Sequence, residues 1–236
     1  MKNIFKNYKI SNESKTHFKI KSITGPSRLV KIPKELDENL AIFVGMILGD
    51  GHLDKNKKRI SLDSTDLRLI RAFKALIEIN FDFKIKIKKY QDKRPNRKLR
   101  YYTYTDNSAI YTLLNKVYNV PASKKSAIIS VPEKIKKSGK NIKIAFLMGV
   151  FVTDGGKRHR SFGLSSKSKL FRDGLINILN ELNIKTHKDE WINKKYRKRY
   201  YGLYFNKRNL ETMRECRSGQ TGQILNLIIS KLEGQA

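Results

Sequence analysis

The stretch AIFVGMILGDG, from Ala41 to Gly51, returns as AFLMGVFVTDG, from Ala145 to Gly155. That recurrence restricts the chain to architectures built from two copies of one unit. Ala41, Gly45, Asp50 and Gly51 recur as Ala145, Gly149, Asp154 and Gly155, each at an offset of 104. Downstream, Leu62, Ser64, Phe73, Leu76 and Ile77 meet Leu164, Ser166, Leu175, Ile178 and Leu179 at an offset of 102. Arg100, Tyr101 and Tyr102 then match Arg199, Tyr200 and Tyr201 at an offset of 99. An offset that shrinks stepwise is what loops of unequal length in two copies produce.

Each copy carries the same order of elements, which predicts an α+β fold of two pseudo-symmetric units of roughly 100 residues. An apolar helix comes first, Leu36 to Gly49 and Ile142 to Thr153. A basic loop and short strand follow, around Arg59 to Leu62 and Ser161 to Leu164. Next is an amphipathic helix, striped by Leu69, Phe73, Leu76 and Ile77 in one copy and by Phe171, Leu175, Ile178, Leu179 and Leu182 in the other. Two strands with a basic connection and a second helix (Ser108 to Tyr118; Asn209 to Cys216) complete the unit. Phe81 to Lys88 alternates as a strand, with Phe81, Phe83, Ile85 and Ile87 opposed to Lys84, Lys86 and Lys88. The expected division is an N-terminal extension of unassigned role (1–30), a first unit (31–130) and a second unit (131–236). Pro121, Pro132 and Gly139 mark a linker over 119–141.

The repeated helix is the most informative segment. Ala41, Gly45 and Gly49 stand four apart and share a face, as do Ala145, Gly149 and Thr153. Small residues at that spacing let two helix backbones approach closely, so these six residues form the expected helix interface. Two helices packed on those faces bring their C-terminal ends, and hence Asp50 and Asp154, to one place. A carboxylate at the partially negative end of a helix costs ~0.3–1 kcal/mol, and two close together repel further. A divalent cation reverses both penalties and takes hard oxygen ligands, including carbonyls freed at the helix end. The two carboxylates are therefore read as a metal site.

Charge points to the partner. The formal net charge of the 236 residues is +30, and self-repulsion of that size is offset by a polyanion. No apolar run approaches the ~18 residues of a membrane span. The polar, cationic start MKNIFKNYKISNESK is not a secretory signal, and the single Cys216 excludes an intramolecular disulfide or a CxxC zinc site. The expectation is an intracellular protein, in cytoplasm, nucleoid or an organelle matrix, with no membrane partner.

FVGMILGDG (Phe43 to Gly51) and LMGVFVTDG (Leu147 to Gly155) resemble the two signature motifs of single-chain LAGLIDADG homing endonucleases. The resemblance covers about residues 31–236. It implies two αββαββα-type units joined through the motif helices, with antiparallel sheets forming a saddle over DNA. It also implies a monomer with internal pseudo-twofold symmetry. Asp50 and Asp154 would hold the catalytic metal, with the carbonyls of Gly49 and Thr153 as further ligands. The implied activity is Mg²⁺-dependent cleavage of both strands of a long, weakly palindromic target, leaving short 3′ overhangs and promoting intron mobility. Mn²⁺ would substitute, and Ca²⁺ would bind without supporting efficient cleavage. Family members also carry a lysine near each site. Lys124 or Lys125 is the candidate in the first copy, and Arg217 or Gln220 stands in for it in the second. The family often has glutamine where Ser64 and Ser166 stand. His52 and His159 are out of register with each other and are read as DNA-facing or solvated, and Trp191 as core or sheet-face packing.

Strand faces and loops supply the expected DNA contacts. On the strands these are Lys84, Lys86, Lys88 and Arg100, with Thr103 and Thr105 beyond, and Lys188, Glu190, Arg199 and Tyr201 in the second copy. In the loops they are Lys55, Lys57, Lys58 and Arg59, Arg94 and Arg97, Lys157, Arg158 and Arg160, and Lys195 and Arg197. The alternatives are an RNA maturase on the same scaffold, with intron RNA as partner, and a DNA-binding regulator without chemistry. The presence of both acidic residues favours the nuclease.

Overall fold

The computed structural model describes residues 2–23, 28–91, 95, 98–123, 125–158, 161–195, 197–210, 226 and 230. A 3-10 turn (Lys2–Phe5) leads into β1 (Tyr8–Glu13), β2 (His17–Ser22) and β3 (Val30–Pro33), an antiparallel sheet in the order β1-β2-β3. Phe18 and Ile20 pair with Ile32 and Val30, and all four are buried. The N-terminal extension is thus a folded element.

Helix α1 (Glu38–Leu48) starts where the Asp37 side chain accepts from the Leu40 amide at 2.8 Å. Every residue from Leu40 to Leu48 is buried. Strands β4 (His52–Asp54) and β5 (Arg59–Ser64) follow, and then α2 (Leu67–Phe81), capped by Asp66. The expected strand from Phe81 is corrected here. Leu69, Phe73, Ile77 and Phe81 stand four apart, so Phe81 closes the buried stripe of α2, and Asp82 turns left-handed at φ 51°. Residues 82–86 belong to neither helix nor strand, and the ladder begins only at β6 (Ile87–Tyr90), paired with β7 (Arg100–Thr105). Helix α3 (Ser108–Thr112) continues as a π turn (Leu113–Val117).

The expected linker is packed. It carries α4 (Glu133–Lys136), and Val120, Ile129, Val131 and Ile135 are buried. Helix α5 (Lys140–Asp154), β8 (Gly156–Arg158), β9 (Ser161–Ser166), α6 (Lys169–Glu181), β10 (Thr186–Asn193) and β11 (Lys198–Asn206) complete the described chain. The sheets are ordered β4-β5-β7-β6 and β10-β11-β9-β8, the same topology in each unit, and all pairings are antiparallel. Only Asn209 and Leu210 of the expected final helix lie among the described residues before 226.

Candidate active site and nucleic-acid interface

Helices α1 and α5 meet on their small residues. A Cβ on Gly45 would lie 2.4 Å from the Phe146 carbonyl oxygen, and one on Gly149 2.2 Å from that of Ile42. Both are main-chain collisions, so glycine is the residue that permits this approach. At the C-terminal end, a Cβ on Gly49 would lie 2.0 Å from Thr153 Oγ1 and 3.5 Å from Asp154 Cγ. Thr153 turns that hydroxyl back along α5, donating to the carbonyls of Val150 (2.8 Å) and Gly149 (3.2 Å). Gly51 and Gly155 follow the carboxylates because a Cβ at either would strike the helix just ended, at Ile47 Cα (2.6 Å) and the Phe151 carbonyl (2.3 Å). Asp50 lies in the turn after α1, whereas Asp154 is the last residue of α5, and both are exposed.

Lys125 reaches into the same place from the segment after the first unit. Its Nζ donates to the carbonyls of Ile47 (2.5 Å), Leu48 (3.0 Å) and Gly49, the unsatisfied end of α1. The residue is half-buried and its ammonium enclosed, and burial pushes it down to about 8 against the pull of Asp154 and Asp50. Both carboxylates thus act on one cation at the shared end of the two helices. The Ser123 amide donates to the Leu53 carbonyl at 2.6 Å, which anchors the segment that delivers Lys125. Lys124, Arg217, Gln220, His159, Cys216, Arg94, Arg97 and Arg160 lie outside the described residues.

The donor set fits a hard divalent cation that shares its shell with substrate. Among the described residues no group of three or more His, Cys, Asp or Glu could hold a metal, so Asp50 and Asp154 would leave most positions to phosphate oxygens and water. The carbonyl of Gly49, an expected ligand, accepts from Lys125.

Ser64 and Ser166 have a local task. Their hydroxyls accept from the amides of Asp66 (3.1 Å) and Ser168 (3.0 Å), turning each strand into the helix that follows. Asp66 and Ser168 then cap α2 and α6.

Sheet register decides which side chains line the open faces. Thr103 and Thr105 are buried, so the outward residues of β7 are Arg100, Tyr102 and Tyr104. Lys88 lies opposite Tyr102 and donates to the Tyr104 hydroxyl at 3.0 Å. The Arg59 guanidinium stacks 4.0 Å from the Tyr104 ring centroid while gripping Asp106 through two hydrogen bonds. Tyr90 packs on Tyr102 at 5.6 Å, and both Tyr90 and Arg100 bond Asp63. The first open face is therefore a tyrosine row with cations on it.

In the second unit Ser166 pairs with Tyr201 as Ser64 pairs with Tyr101, so β11 follows β7 at an offset of 100, not 99. That one-residue difference exchanges the faces. Tyr201 and Glu190 turn toward α6, where Arg172, only 1% exposed, bonds Glu190 at 3.0 Å and lies 5.2 Å from the Tyr201 ring. Lys188, opposite Leu203, and Arg199, opposite Ile192, share that helix-side face and leave the open one. Trp191, Tyr200 and Tyr204 take their place, with Trp191 stacked on Tyr200 at 5.9 Å. Arg172 has no counterpart among the residues singled out from sequence, where a lone arginine on a helix reads as solvated.

The cationic loops project from the strand ends. Lys55 and Lys57 are exposed in the β4–β5 turn, while Lys58 lies 4.8 Å from the Tyr111 ring. Lys84 and Lys86 are exposed in the approach to β6, and Lys195 and Arg197 in the β10–β11 turn. Arg158 closes β8, and Lys157 of that strand lies beside Lys207; burial and that second ammonium push it below the usual lysine value. No helix among the described residues is long and apolar enough to cross a membrane.

A family model described as a LAGLIDADG-like domain matches residues 37–118 and 141–216. Two curated relatives from Methanocaldococcus jannaschii align with most of the chain. The replication factor C small subunit is 29% identical over 88% of this chain and 11% of its own length. The probable translation initiation factor IF-2 is 30% identical over 80% and 16%. The chain thus spans only a small part of either. Among solved structures, I-DmoI in complex with DNA and Ca matches with a TM-score of 0.55 and 17% identity over 82% of this chain and 98% of that one. I-WcaI bound to its DNA recognition sequence gives 0.55 and 18% over 78% and 82%. Full-length DUF199/WhiA from Thermatoga maritima gives 0.53 and 14% over 84% and 61%. These likenesses establish a shared fold.

Proposed function

From a chain that belongs to the LAGLIDADG-like domain family, we infer a site-specific DNA endonuclease that cuts both strands in a metal-dependent reaction. The observation that carries this reading is the convergence of Asp50 and Asp154 on the Lys125 ammonium where α1 and α5 end together. A regulator without chemistry has no need of two carboxylates held at helix ends that repel them.

Asp50 and Asp154 would hold Mg²⁺, with Mn²⁺ as a substitute. When bound, the cation supplies neutralisation of charge growing on the phosphoryl oxygens and a more acidic water. The chain's own groups do the rest. Lys125, its N–H groups held by the carbonyls that end α1, screens the two carboxylates from each other and adds positive charge beside the scissile phosphate. Its depressed value leaves a sizeable neutral fraction near pH 8, able to take a proton from the attacking water. The open sheet faces, through Arg100, Lys88 and the tyrosine rows, lie along the major groove, while Lys55, Lys57, Lys157, Lys195 and Arg197 take flanking phosphates.

A segment shared by two proteins of unrelated names, each mostly outside the match, supports the reading of a mobile module that inserts copies of itself. The target is then a gene lacking the insert. The test is cleavage of that gene in Mg²⁺ by wild type, Asp50→Asn and Asp154→Asn. Wild type is expected to cut both strands with 3′ overhangs, and each variant to bind DNA but lose metal-dependent cutting. Robust cutting by the double variant would refute the assignment, and stimulated RNA splicing without DNA cutting would point to a maturase.

A further inference from the structure

The outer face of the N-terminal sheet is the most concentrated charged surface that the cleavage reading leaves unused. Residues 1–34 hold nine Lys and Arg against one Glu. The inner residues Phe18, Ile20, Val30 and Ile32 are buried, and this sheet packs against α2 and α3. Alternation therefore sends Lys19, Lys21, Lys9 and Lys31 outward, and the register sets Lys9 opposite Lys21 and Lys19 opposite Lys31. Asn12 joins them opposite Lys19 beyond a bulge, and His17 lies two residues before Lys19 on the same side.

Like charges directly opposite each other destabilise a sheet. Internal compensation is slight: Asp82 stands 4.0 Å from Lys19, and Glu13 is engaged by Lys34 and Lys2. Among the described residues no carboxylate pairs with Lys9, Lys21 or Lys31. His17 registers the field of this face, held below the usual histidine value by burial and then by Lys31, Lys19 and Lys34. Its Nδ1 lies 2.9 Å from Ser14 Oγ and 3.1 Å from Thr16 Oγ1.

We propose that the face formed by Lys9, Lys19, Lys21 and Lys31 binds the phosphate backbone of a second DNA duplex segment, separate from the one on the saddle. Four ammoniums at strand spacings of roughly 4.8 Å across and 6.8 Å along suit a partner with one charge per ~1.7 Å of axis. Lysine dominates the face: its apolar groups are Pro33 opposite His17 and exposed Ile23 and Leu29 beyond the strand ends, so charge rather than a central apolar anchor selects the partner. Helices α2 and α3 contact this sheet on one side and β5 and β7 on the other, so one straight duplex cannot lie on both outward faces. The site is independent of the catalytic reading.

The experiment uses the full chain with Lys9, Lys19, Lys21 and Lys31 changed together to Gln. The charge-matched control changes exposed Lys134, Lys137, Lys140 and Lys169 to Gln. A short random-sequence duplex is titrated between about 50 and 200 mM salt, with the His17 ring followed by NMR. Wild type and control are expected to bind two duplexes per chain, and the sheet variant one, with its summed salt slope reduced by about 4. His17 should titrate at higher pH when duplex is bound, because phosphates offset the lysine field. One duplex per chain in wild type, an unmoved His17, or equal loss in the control overturns the proposal. A His17 shifted by polyglutamate but not by duplex also overturns it, and assigns the face to an acidic protein.

Discussion

Gly45 and Gly149 meet main chain to main chain where α1 crosses α5: a Cβ on Gly45 would lie 3.1 Å from the Gly149 carbonyl carbon and 2.9 Å from the Val150 amide nitrogen. Backbone cannot swing aside as a side chain can, so one added methyl must part the helices. Gly45→Ala is therefore expected to lose about 2–3 kcal/mol in urea denaturation. Gly156→Ala, whose added methyl would meet nothing within 4 Å, should stay within about 0.5 kcal/mol of wild type. Equal stability of the two variants would contradict the close crossing.

Lys125 makes stability depend on pH in a direction that can be worked out. Its folded value of about 8 lies below the ordinary 10.5, so the unfolded chain binds more protons between the two. Stability must then rise as pH climbs from about 8 toward 10.5. The rise relative to Lys125→Met, which cannot titrate, is at most about 3 kcal/mol. The three carbonyls that hold the ammonium reduce it. Denaturation curves taken across this interval are the check, and parallel profiles for the two proteins would sink the idea.

The paired helices and their carboxylates were legible because two constraints coincide: small residues every fourth position and an acidic end, each present twice. Phe81 was ambiguous, since it continues both the four-residue stripe of Leu69, Phe73 and Ile77 and the two-residue alternation of Phe83 and Ile85; the helix takes it. The match of Arg100-Tyr101-Tyr102 to Arg199-Tyr200-Tyr201 followed side-chain identity, whereas hydrogen-bond register follows the core. Thr103 and Leu203 fill equivalent buried slots, which shifts the copies by one residue and reverses the faces. Lys124 and Lys125 were indistinguishable in a string of cations. What singles out Lys125 is the group of carbonyls ending α1, about 76 residues earlier, which only tertiary structure brings near.

Arg172 holds α6 to the edge strand of the second sheet. Its guanidinium is buried, bonded to Asp173 at 2.6 Å and to Glu190 at 3.0 Å, and stacked near Tyr201. The two carboxylates are nearly half exposed, so truncation leaves them hydrated rather than stranded. Arg172→Ala is expected to destabilise by about 2 kcal/mol, through lost packing as much as lost charge. Glu190→Gln keeps a hydrogen-bond acceptor for Arg172 and should lose less than half of that. Chemical denaturation of both variants decides, and a larger loss in Glu190→Gln would show that charge, not packing, dominates.

The exchange of faces makes opposite predictions for residues that look alike in sequence. Lys88, Tyr102 and Tyr104 share the open face of the first sheet, whereas Lys188 and Arg199 lie on the helix side of the second. Tyr102→Ala and Tyr104→Ala remove outward-facing aromatic area, and Tyr104 also supports Lys88 and Arg59. Each should weaken DNA binding about tenfold, equivalent to ~1.4 kcal/mol. Lys88→Gln should weaken binding and lower the salt slope by about one. Lys188→Gln and Arg199→Gln should change affinity less than about twofold, as remote charges screened by salt do. Anisotropy titrations against one target duplex distinguish the sets. If Arg199→Gln proved as damaging as Lys88→Gln, the offset of 99 would be the functional register and the sheet pairing Ser166 with Tyr201 would be wrong.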